Sequence, residues 1–143
     1  MSLLVVDASV AAKWLLPAAQ EPLVEQATHL LAQETEGSAD FIVPDLFWPE
    51  IGNVLWKAVR RERITPTQAE ESRATALSWA FDTVSSRQLV ERALEIGLNH
   101  QRSFYDSIYL ALAVSQQIEL ITADERLANA AAAHLPVKWL GAI

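Results

Sequence analysis

The chain has 143 residues, a formal net charge of −7 and 51% hydrophobic residues, which is typical of one compact domain with a hydrophobic core. The absence of cysteine excludes disulfide scaffolds, thiolate zinc sites and iron–sulfur clusters. The four glycines are too dispersed for a dinucleotide-binding or Walker A loop. The negative charge argues against a protein that coats nucleic acid over a broad surface.

The amino terminus carries a short apolar run that superficially matches a signal peptide. No basic residue precedes this run, and Asp7 and Lys13 interrupt it, so the match fails. No stretch of the chain approaches the roughly 20 apolar residues that span a bilayer. We therefore expect a soluble, cytoplasmic protein that does not associate with a membrane.

Short apolar runs alternate with helical patterns along the whole chain. The first half predicts a strand at 3–6, a helix at 10–16 capped by Ser9, a helix at 22–36, a strand at 41–43 and a helix from Asp45 to about residue 61. The second half predicts a helix from the Thr65 capping box to about residue 81, a strand at 82–84, helices at 85–96 and 103–116, a strand at 119–122, a helix at 125–134 and a strand at 137–140.

This alternation predicts an α/β domain with a central, mostly parallel sheet of about five strands and helices on both faces. Such sheets bind ligands outside the carboxyl ends of their strands. Two predicted strands end in an aspartate at that edge, Asp7 and Asp124. Each aspartate is either part of a binding site or a cap for the helix that follows it.

The helix near Asp45 carries a carboxylate within its apolar stripe. Glu50 lies three residues after Phe47 and four before Val54, and both of these belong to the stripe. A carboxylate in an apolar stripe costs free energy unless it is paired or binds a metal. Glu50 therefore belongs to a functional site, or it lies at the edge of the stripe, or it pairs with an arginine.

The helix that starts at Ser103 is apolar on nearly every side, which is typical of a buried helix. Asp106 lies in its first turn, three residues after Ser103. This spacing is that of a capping box, so it is compatible both with a cap and with a functional site. Asp45 also follows a predicted strand, and its spacing does not exclude it from a site.

Asp7, Glu50, Asp106 and Asp124 are more informative as a set, because the predicted topology brings them towards one edge of the sheet. Carboxylates at such short separations repel each other, and a hard divalent cation such as Mg²⁺ or Mn²⁺ relieves that repulsion. A cation of this kind activates water and neutralises phosphate charge in phosphodiester hydrolysis. The set therefore favours metal-assisted cleavage of a phosphodiester.

Other residue types favour structural roles. The three histidines are too dispersed for a zinc motif. Trp48, Trp56 and Trp79 lie on predicted helices, which indicates packing or contacts in a dimer.

Four segments together resemble the PIN-domain ribonucleases, and more narrowly the VapC toxins of bacterial and archaeal toxin–antitoxin pairs. The segments are 5–14 (VVDASVAAKW), 49–55 (PEIGNVL), 105–113 (YDSIYLALA) and 120–127 (LITADERL). They occur in the order found in that family and span nearly the whole chain. Residues 60–86 match no motif of the family, so the resemblance does not identify a substrate.

The resemblance implies a three-layer α/β/α fold in one domain over residues 1–143. It implies an acidic metal site, for Mg²⁺ or Mn²⁺, that is formed by Asp7, Glu50, Asp106 and Asp124. It also implies that three polar residues lie beside these ligands, namely Ser9, Asn53 and Thr122. Asp45 matches no catalytic position of the family, and we therefore expect it to act as a helix cap.

The function implied by the resemblance is that of a metal-dependent endoribonuclease toxin that cleaves structured RNA such as tRNA or rRNA. The implied partners are a second copy of the chain in a homodimer and a VapB-like antitoxin whose C-terminal tail covers the active-site groove. The resemblance also implies that operator DNA is contacted only through the antitoxin. An RNA-processing nuclease outside a toxin pair and a non-catalytic α/β binding module are the alternatives.

Positive charge is concentrated at the end of the helix that carries Glu50. Lys57, Arg60 and Arg61 lie there, followed by Arg63. These cations are candidate contacts for RNA phosphates, although a solvated helix end favoured by the helix dipole explains them equally well. The net charge of −7 therefore does not exclude an RNA substrate.

Overall fold

The chain builds its sheet outward from the first strand in two directions. The computed structural model describes residues 2–143. Its strands are β1 (Ser2–Val6), β2 (Ala39–Pro44), β3 (Asp82–Val84), β4 (Leu120–Thr122) and β5 (Val137–Trp139), in the spatial order β3-β2-β1-β4-β5. Every pairing between neighbouring strands is parallel. The expected α/β class with a parallel sheet of five strands is confirmed.

Helices fill each connection between the strands. Within residues 2–143 they are α1 (Ala8–Leu15), α2 (Val24–Thr35), α3 (Phe47–Arg60), α4 (Pro66–Leu77), α5 (Val90–His100), α6 (Phe104–Gln116) and α7 (Glu125–Ala131), with short 3₁₀ turns at Ala18–Gln20, Ser86–Leu89 and Leu140–Ala142. Parallel neighbours are joined by right-handed crossovers, so α1–α4 pack on one face of the sheet and α5–α7 on the other. None of the helices in the described part of the chain is long and apolar enough to cross a bilayer.

The core lies along β1, β2 and α6. Val5, Val6 and Val43 have no measurable exposure, and the run Ser107–Ala113 of α6 is buried at every position. The expectation of a buried helix here is confirmed. Because α6 is enclosed on all sides, it cannot rotate without loss of packing, and the direction of the side chains in its first turn is therefore fixed.

An aromatic cluster packs against β2 beside α1. The Trp14 ring stacks on Phe41 with centroids 5.6 Å apart, and Trp79 stacks on Phe81 at 5.2 Å. The prediction that Trp79 lies on a helix is wrong, because α4 ends at Leu77 and not near residue 81. Trp79 and Phe81 leave helical geometry to join this cluster, whose stacked and edge-to-face contacts outweigh a further helical turn.

The first helix starts earlier than the sequence indicates. Asp7, and not Ser9, is its N-cap, since the Asp7 Oδ1 accepts hydrogen bonds from the backbone N–H groups of Ser9 (3.1 Å) and Val10 (3.3 Å). The predicted start at residue 10 is therefore wrong by two residues. The carboxylate reaches the free N–H groups of the first turn from the end of β1.

Asp45 does not cap the helix that follows it. Leu46 is at the N-cap of α3 and provides no side-chain bond. The Asp45 Oδ1 instead accepts a hydrogen bond from the backbone N–H of Ser86 at 3.1 Å. The predicted cap is wrong, and Asp45 connects the end of β2 to the segment after β3.

Boundaries of three other helices also differ from the predictions. α2 begins at Val24 and not at residue 22, because Leu23 adopts a left-handed conformation with φ of 62°. α5 begins only after the 3₁₀ turn Ser86–Leu89 and continues to His100, and α7 ends at Ala131. The capping box at Thr65 is confirmed, with both of its reciprocal hydrogen bonds present.

Truncation of Leu110 tests the central position of α6. Leu110 is fully buried, so Leu110→Ala removes apolar contacts and leaves a cavity. We expect a loss of about 3 kcal/mol in the free energy of unfolding, measured by urea titration. The matched control is Leu77→Ala, since Leu77 is 60% exposed, and its cost is expected below about 0.5 kcal/mol. Equal losses in the two variants would contradict the assignment of α6 to the core.

Candidate active site

The four acidic side chains singled out from the sequence lie around one cavity at the carboxyl edge of the sheet. β1 and β4 are neighbours, and their outgoing connections pass to opposite faces, so a crevice opens between their ends. The cavity has a volume of about 130 Å³ and is lined by Asp7, Ala8, Ser9, Glu50, Asp106, Tyr109 and Asp124. The structure thus brings together the carboxylates that the sequence predicts for one site.

A larger depression of about 320 Å³ lies between α3 and α4. Leu55, Trp56 and Val59 dominate its lining, and Glu70 is the one carboxylate among its lining residues. A depression with apolar walls and no converging polar groups lacks a set of side chains that could together bind a metal ion or transfer a proton. The acid-lined cavity is therefore the stronger candidate despite its smaller volume.

Asp7 is the most buried of the four acids, with 8% exposure. Besides capping α1, its Oδ1 accepts a hydrogen bond from the Ser9 hydroxyl at 2.5 Å. Burial raises the pKa of Asp7 to about 6, and the charge of Asp106 adds to the rise. Hydrogen bonds from Ser9, Thr122 and Val10 oppose it. The negative charge of Asp7 is thus held at a cost in free energy.

The Ser9 hydroxyl connects the ends of β1 and β4. Its Oγ donates to Asp7, accepts from the backbone N–H of Ala123 at 3.0 Å, and lies 3.4 Å from the hydroxyl of Thr122. Thr122 is fully buried and accepts a hydrogen bond from the backbone N–H of Asp124 at 3.1 Å. These contacts fix Asp7 and Asp124 relative to each other. The structure places Ser9 and Thr122 beside the acids, and their effect on a bound ion stays a prediction.

Glu50 is held by a tyrosine and not by an arginine. The Tyr109 hydroxyl donates to the Glu50 Oε1 at 2.5 Å, and no ion pair of Glu50 exists within residues 2–143. Burial raises the pKa of Glu50, the Tyr109 hydrogen bond lowers it, and the charge of Asp106 raises it further. Burial and the Glu50 charge also raise the pKa of the Tyr109 phenol, so this hydroxyl remains a donor.

Tyr109 is the residue of this cavity that sequence reasoning missed. It is 3% exposed and stands in an apolar run, so the pattern of the sequence indicates only core packing. The available signal was its distance of three residues from Asp106, because helical residues three apart share a face. Spacing alone therefore places the Tyr109 hydroxyl on the same face of α6 as Asp106.

Asp106 and Asp124 occupy the starts of α6 and α7. The Ser103 hydroxyl accepts a hydrogen bond from the backbone N–H of Asp106 at 3.1 Å, so Ser103 caps α6. Burial raises the pKa of Asp106, and Asp124 raises it further while Arg102 lowers it. Asp124 is exposed and caps α7 through its Oδ1, which accepts from Arg126 and Leu127.

The remaining sequence-predicted residues lie outside the cavity. Asn53 is exposed one turn after Glu50 and is absent from the cavity lining. Lys57 and Arg61 line a neighbouring pocket, whereas the Arg60 guanidinium lies over the ring of Trp56 at 5.5 Å. The cations at the end of α3 thus form two groups on different sides of the helix.

The chemistry of the cavity fits a hard divalent cation. Its candidate ligands are all oxygen atoms, which Mg²⁺ and Mn²⁺ prefer, and the mutual repulsion of the acids favours a positive ion between them. As positioned, no three acidic or histidine side chains of residues 2–143 are close enough to hold one ion. Tyr109 engages only the Oε1 of Glu50 and the first turn of α7 engages only the Oδ1 of Asp124, so the second oxygen of each carboxylate is left for an ion.

Comparison with known proteins identifies the family. A model of the PIN domain matches residues 4–133. Ribonuclease VapC3 of Pyrobaculum aerophilum is 33% identical over 130 residues, which cover 88% of this chain and 92% of that protein. Ribonuclease VapC9 of Mycobacterium tuberculosis is 33% identical over 135 residues, 94% of this chain and 96% of that protein. Ribonuclease VapC1 of the same species is 36% identical over 89 residues, and the match spans 65% of its length.

Solved structures share the fold. A crystal structure of a Pyrobaculum aerophilum protein has a TM-score of 0.69 at 23% identity and covers 99% of this chain and 85% of that one. VapC20, a sarcin–ricin loop cleaving toxin of Mycobacterium tuberculosis, has a TM-score of 0.63 at 21% identity, with coverage of 90% and 95%. The chain belongs to the PIN-domain family. Its relatives within that family are VapC proteins, which confirms the resemblance seen in the four segments.

The raised pKa of Asp7 predicts a pH-dependent stability. Between its ordinary value of 3.8 and about 6, the folded protein binds a proton at Asp7 more tightly than the unfolded chain does. Stability from this group is therefore full below pH 3.8 and is lost as the pH rises through 6. We expect a loss of about 3 kcal/mol, since each pKa unit corresponds to about 1.4 kcal/mol.

The measurement compares urea unfolding of the wild type and Asp7→Asn from pH 4 to 8 with a chelator present. The amide retains the capping oxygen but carries no charge, so the variant is expected to gain stability over the wild type as the pH rises. Asp45→Asn makes the same chemical change at an exposed position and serves as the control. Parallel pH profiles of wild type and Asp7→Asn would contradict this prediction.

Proposed function

We propose that this protein is a metal-dependent endoribonuclease and the toxin of a toxin–antitoxin pair. The observation that supports it best is the cavity at the β1–β4 crevice, where four elements each bring one carboxylate. Ribonucleases VapC3 and VapC9, which match nearly their whole length, support nuclease activity. Asp7, Glu50, Asp106 and Asp124 are the proposed metal ligands and catalytic residues.

A Mg²⁺ or Mn²⁺ ion bound by these carboxylates supplies an activated water and neutralises the phosphate charge. Ser9 and the first turn of α1 hold Asp7 in one orientation through three hydrogen bonds. Tyr109 holds Glu50 at Oε1, which leaves Oε2 to accept a proton from water. A carboxylate with a raised pKa suits this role, because its basicity is closer to neutral pH.

The proposed substrate is a structured RNA, either tRNA or rRNA. VapC20, which shares the fold, is a sarcin–ricin loop cleaving toxin, and this supports an RNA substrate with defined structure. The small cavity and the net charge of −7 favour local contact with one strand over broad electrostatic binding.

The proposed partners are a VapB-like antitoxin and a second copy of the chain in a homodimer. A toxin–antitoxin complex from Klebsiella pneumoniae has a TM-score of 0.63 at 21% identity and covers 96% of both chains, which supports an antitoxin partner. A basic antitoxin tail suits the acidic cavity, and operator DNA is contacted through the antitoxin alone. We place the protein in the cytoplasm, as one domain over residues 1–143.

Cleavage assays test the activity. Asp7→Asn and Asp106→Asn each remove one ligand charge, so we expect the Mn²⁺-dependent cleavage rate of total tRNA or ribosomal RNA to fall about 100-fold or more. Asp45→Asn, whose side chain lies outside the cavity, is expected to cleave as the wild type does. Gel electrophoresis with mapping of the cleaved ends gives the rates and the substrate.

Full activity of either site variant would exclude the proposed site. A wild type that neither cleaves RNA nor gains thermal stability with Mn²⁺ would favour a non-catalytic binding module. Cleavage without growth inhibition, and without a neighbouring antitoxin gene, would favour an RNA-processing nuclease.

Tyr109→Phe tests the support of Glu50. This change removes only the hydroxyl that holds the carboxylate, so we expect the affinity for Mn²⁺ to fall about 10-fold. Isothermal titration calorimetry measures this affinity without any RNA. Asp45→Asn is the control for the titration, and unchanged Mn²⁺ affinity in Tyr109→Phe would contradict a role for the hydroxyl in ion binding.

A further inference from the structure

A second, basic pocket lies further along α1 and α3, the two helices that also border the acidic cavity. Ala8, Ser9 and Glu50 line the acidic cavity. The second pocket has a volume of about 190 Å³. Ala12 and Leu16 line it one and two turns further along α1, and Val54, Lys57 and Arg61 line it one, two and three turns further along α3, together with Ala58, Glu21 and Arg63. Both helices therefore run from the acidic cavity towards the basic pocket, and we call the surface between them, from one pocket to the other, the α1–α3 groove.

Helical periodicity aligns the cations with the catalytic glutamate. Lys57 and Arg61 follow Glu50 by seven and eleven residues, so their directions differ from that of Glu50 by only about 20° around the axis of α3. With a rise of about 1.5 Å per residue, they lie about 10 and 16 Å further along the axis. Arg60 points about 80° away on the helical wheel and stacks over Trp56.

The charges of Lys57 and Arg61 are available to a ligand. Both side chains are exposed, and neither forms an ion pair within residues 2–143. Glu21, the one acid in the pocket, is already paired with Lys13 at 3.0 Å and with Arg63. The pocket therefore has an unneutralised positive charge.

We propose that the α1–α3 groove binds an RNA strand, with Lys57 and Arg61 contacting phosphates next to the one held at the acidic cavity. This inference rests on the proposed nuclease function and assigns the path of the substrate away from the scissile bond. The inference assigns phosphate contacts to Lys57 and Arg61 and none to Arg60, although all three are close together in the sequence.

A polyanionic strand fits the groove better than an acidic peptide does. A phosphodiester at the acidic end requires the adjoining nucleotides to leave along an open surface, and the groove continues from that point to the cations. Phosphates repeat along the strand, so successive contacts at Lys57 and Arg61 need no special sequence.

The test compares Lys57→Ala/Arg61→Ala with the matched control Arg60→Ala. Binding of fluorescein-labelled single-stranded oligouridine is measured by fluorescence anisotropy over a salt series, with a chelator present to prevent cleavage. We expect the double variant to bind about ten-fold more weakly at low salt, with a salt slope smaller by about 1.4, since each single-strand phosphate contact contributes about 0.7. Each single substitution is expected to produce about half of the change in slope, and Arg60→Ala none.

Equal affinity and slope in the double variant and the control would overturn the inference. Loss of binding to a fluorescent polyglutamate peptide, with normal RNA binding, would also overturn it and assign the pocket to an acidic partner protein. The proposed function is judged separately, because Mn²⁺-dependent cleavage by the wild type tests it without these variants. In that assay, the double variant is expected to raise KM about ten-fold with little change in kcat.

Discussion

Burial of carboxylates beside one another at the β1–β4 crevice is the constraint on which the candidate site depends. Four carboxylates line a cavity of about 130 Å³, where burial is the largest cause of the raised pKa values of Asp7, Glu50 and Asp106, and repulsion between the acids adds to it. Backbone N–H groups at helix starts offset part of the free-energy cost of this burial, because each acid lies at the start of a helix. Asp7 and Asp124 are at N-caps, and Glu50 and Asp106 are in first turns. The partial positive charges of four helix N-termini therefore act on the cavity. The residual repulsion gives the site its affinity for a divalent cation in the proposed function.

Capping and metal binding are compatible roles for the same residue. A carboxylate has two oxygen atoms, and Asp124 uses only Oδ1 to accept hydrogen bonds from the first turn of α7. Asp7 likewise caps α1 while it lines the cavity. The cap holds the side chain at the carboxyl edge of the sheet, which is where a substrate of an open α/β fold binds. The structural and functional interpretations of these aspartates thus describe one arrangement.

The sequence predicts most of the fold and the four acids that line the cavity, because strand ends, apolar stripes and caps depend on local patterns. Prediction from the sequence fails where contacts between residues that are distant in the chain determine the local structure. Trp79 leaves its predicted helix for an aromatic cluster formed by distant residues, and Asp45 bonds to Ser86 across the sheet edge. The role of Tyr109 is not predicted, because Glu50, which accepts the hydrogen bond from its hydroxyl, is 59 residues away in the chain. Asn53 and the cations of α3 are visible in the sequence, but only the helix packing shows which of them face the groove.

Net charge does not identify the class of substrate, because the α1–α3 groove carries negative charge at one end and positive charge at the other. Asp7 and Glu50 lie at the N-terminal ends of α1 and α3, and Lys57 and Arg61 lie at the C-terminal end of α3, so both groups follow the helix dipole. With a formal charge of −7, the rest of the surface repels a polyanion beyond this groove. In the proposed function, RNA is therefore held by few phosphates. Affinity that rests on few contacts depends weakly on salt, and discrimination among RNAs must then come from the shape presented to the cavity.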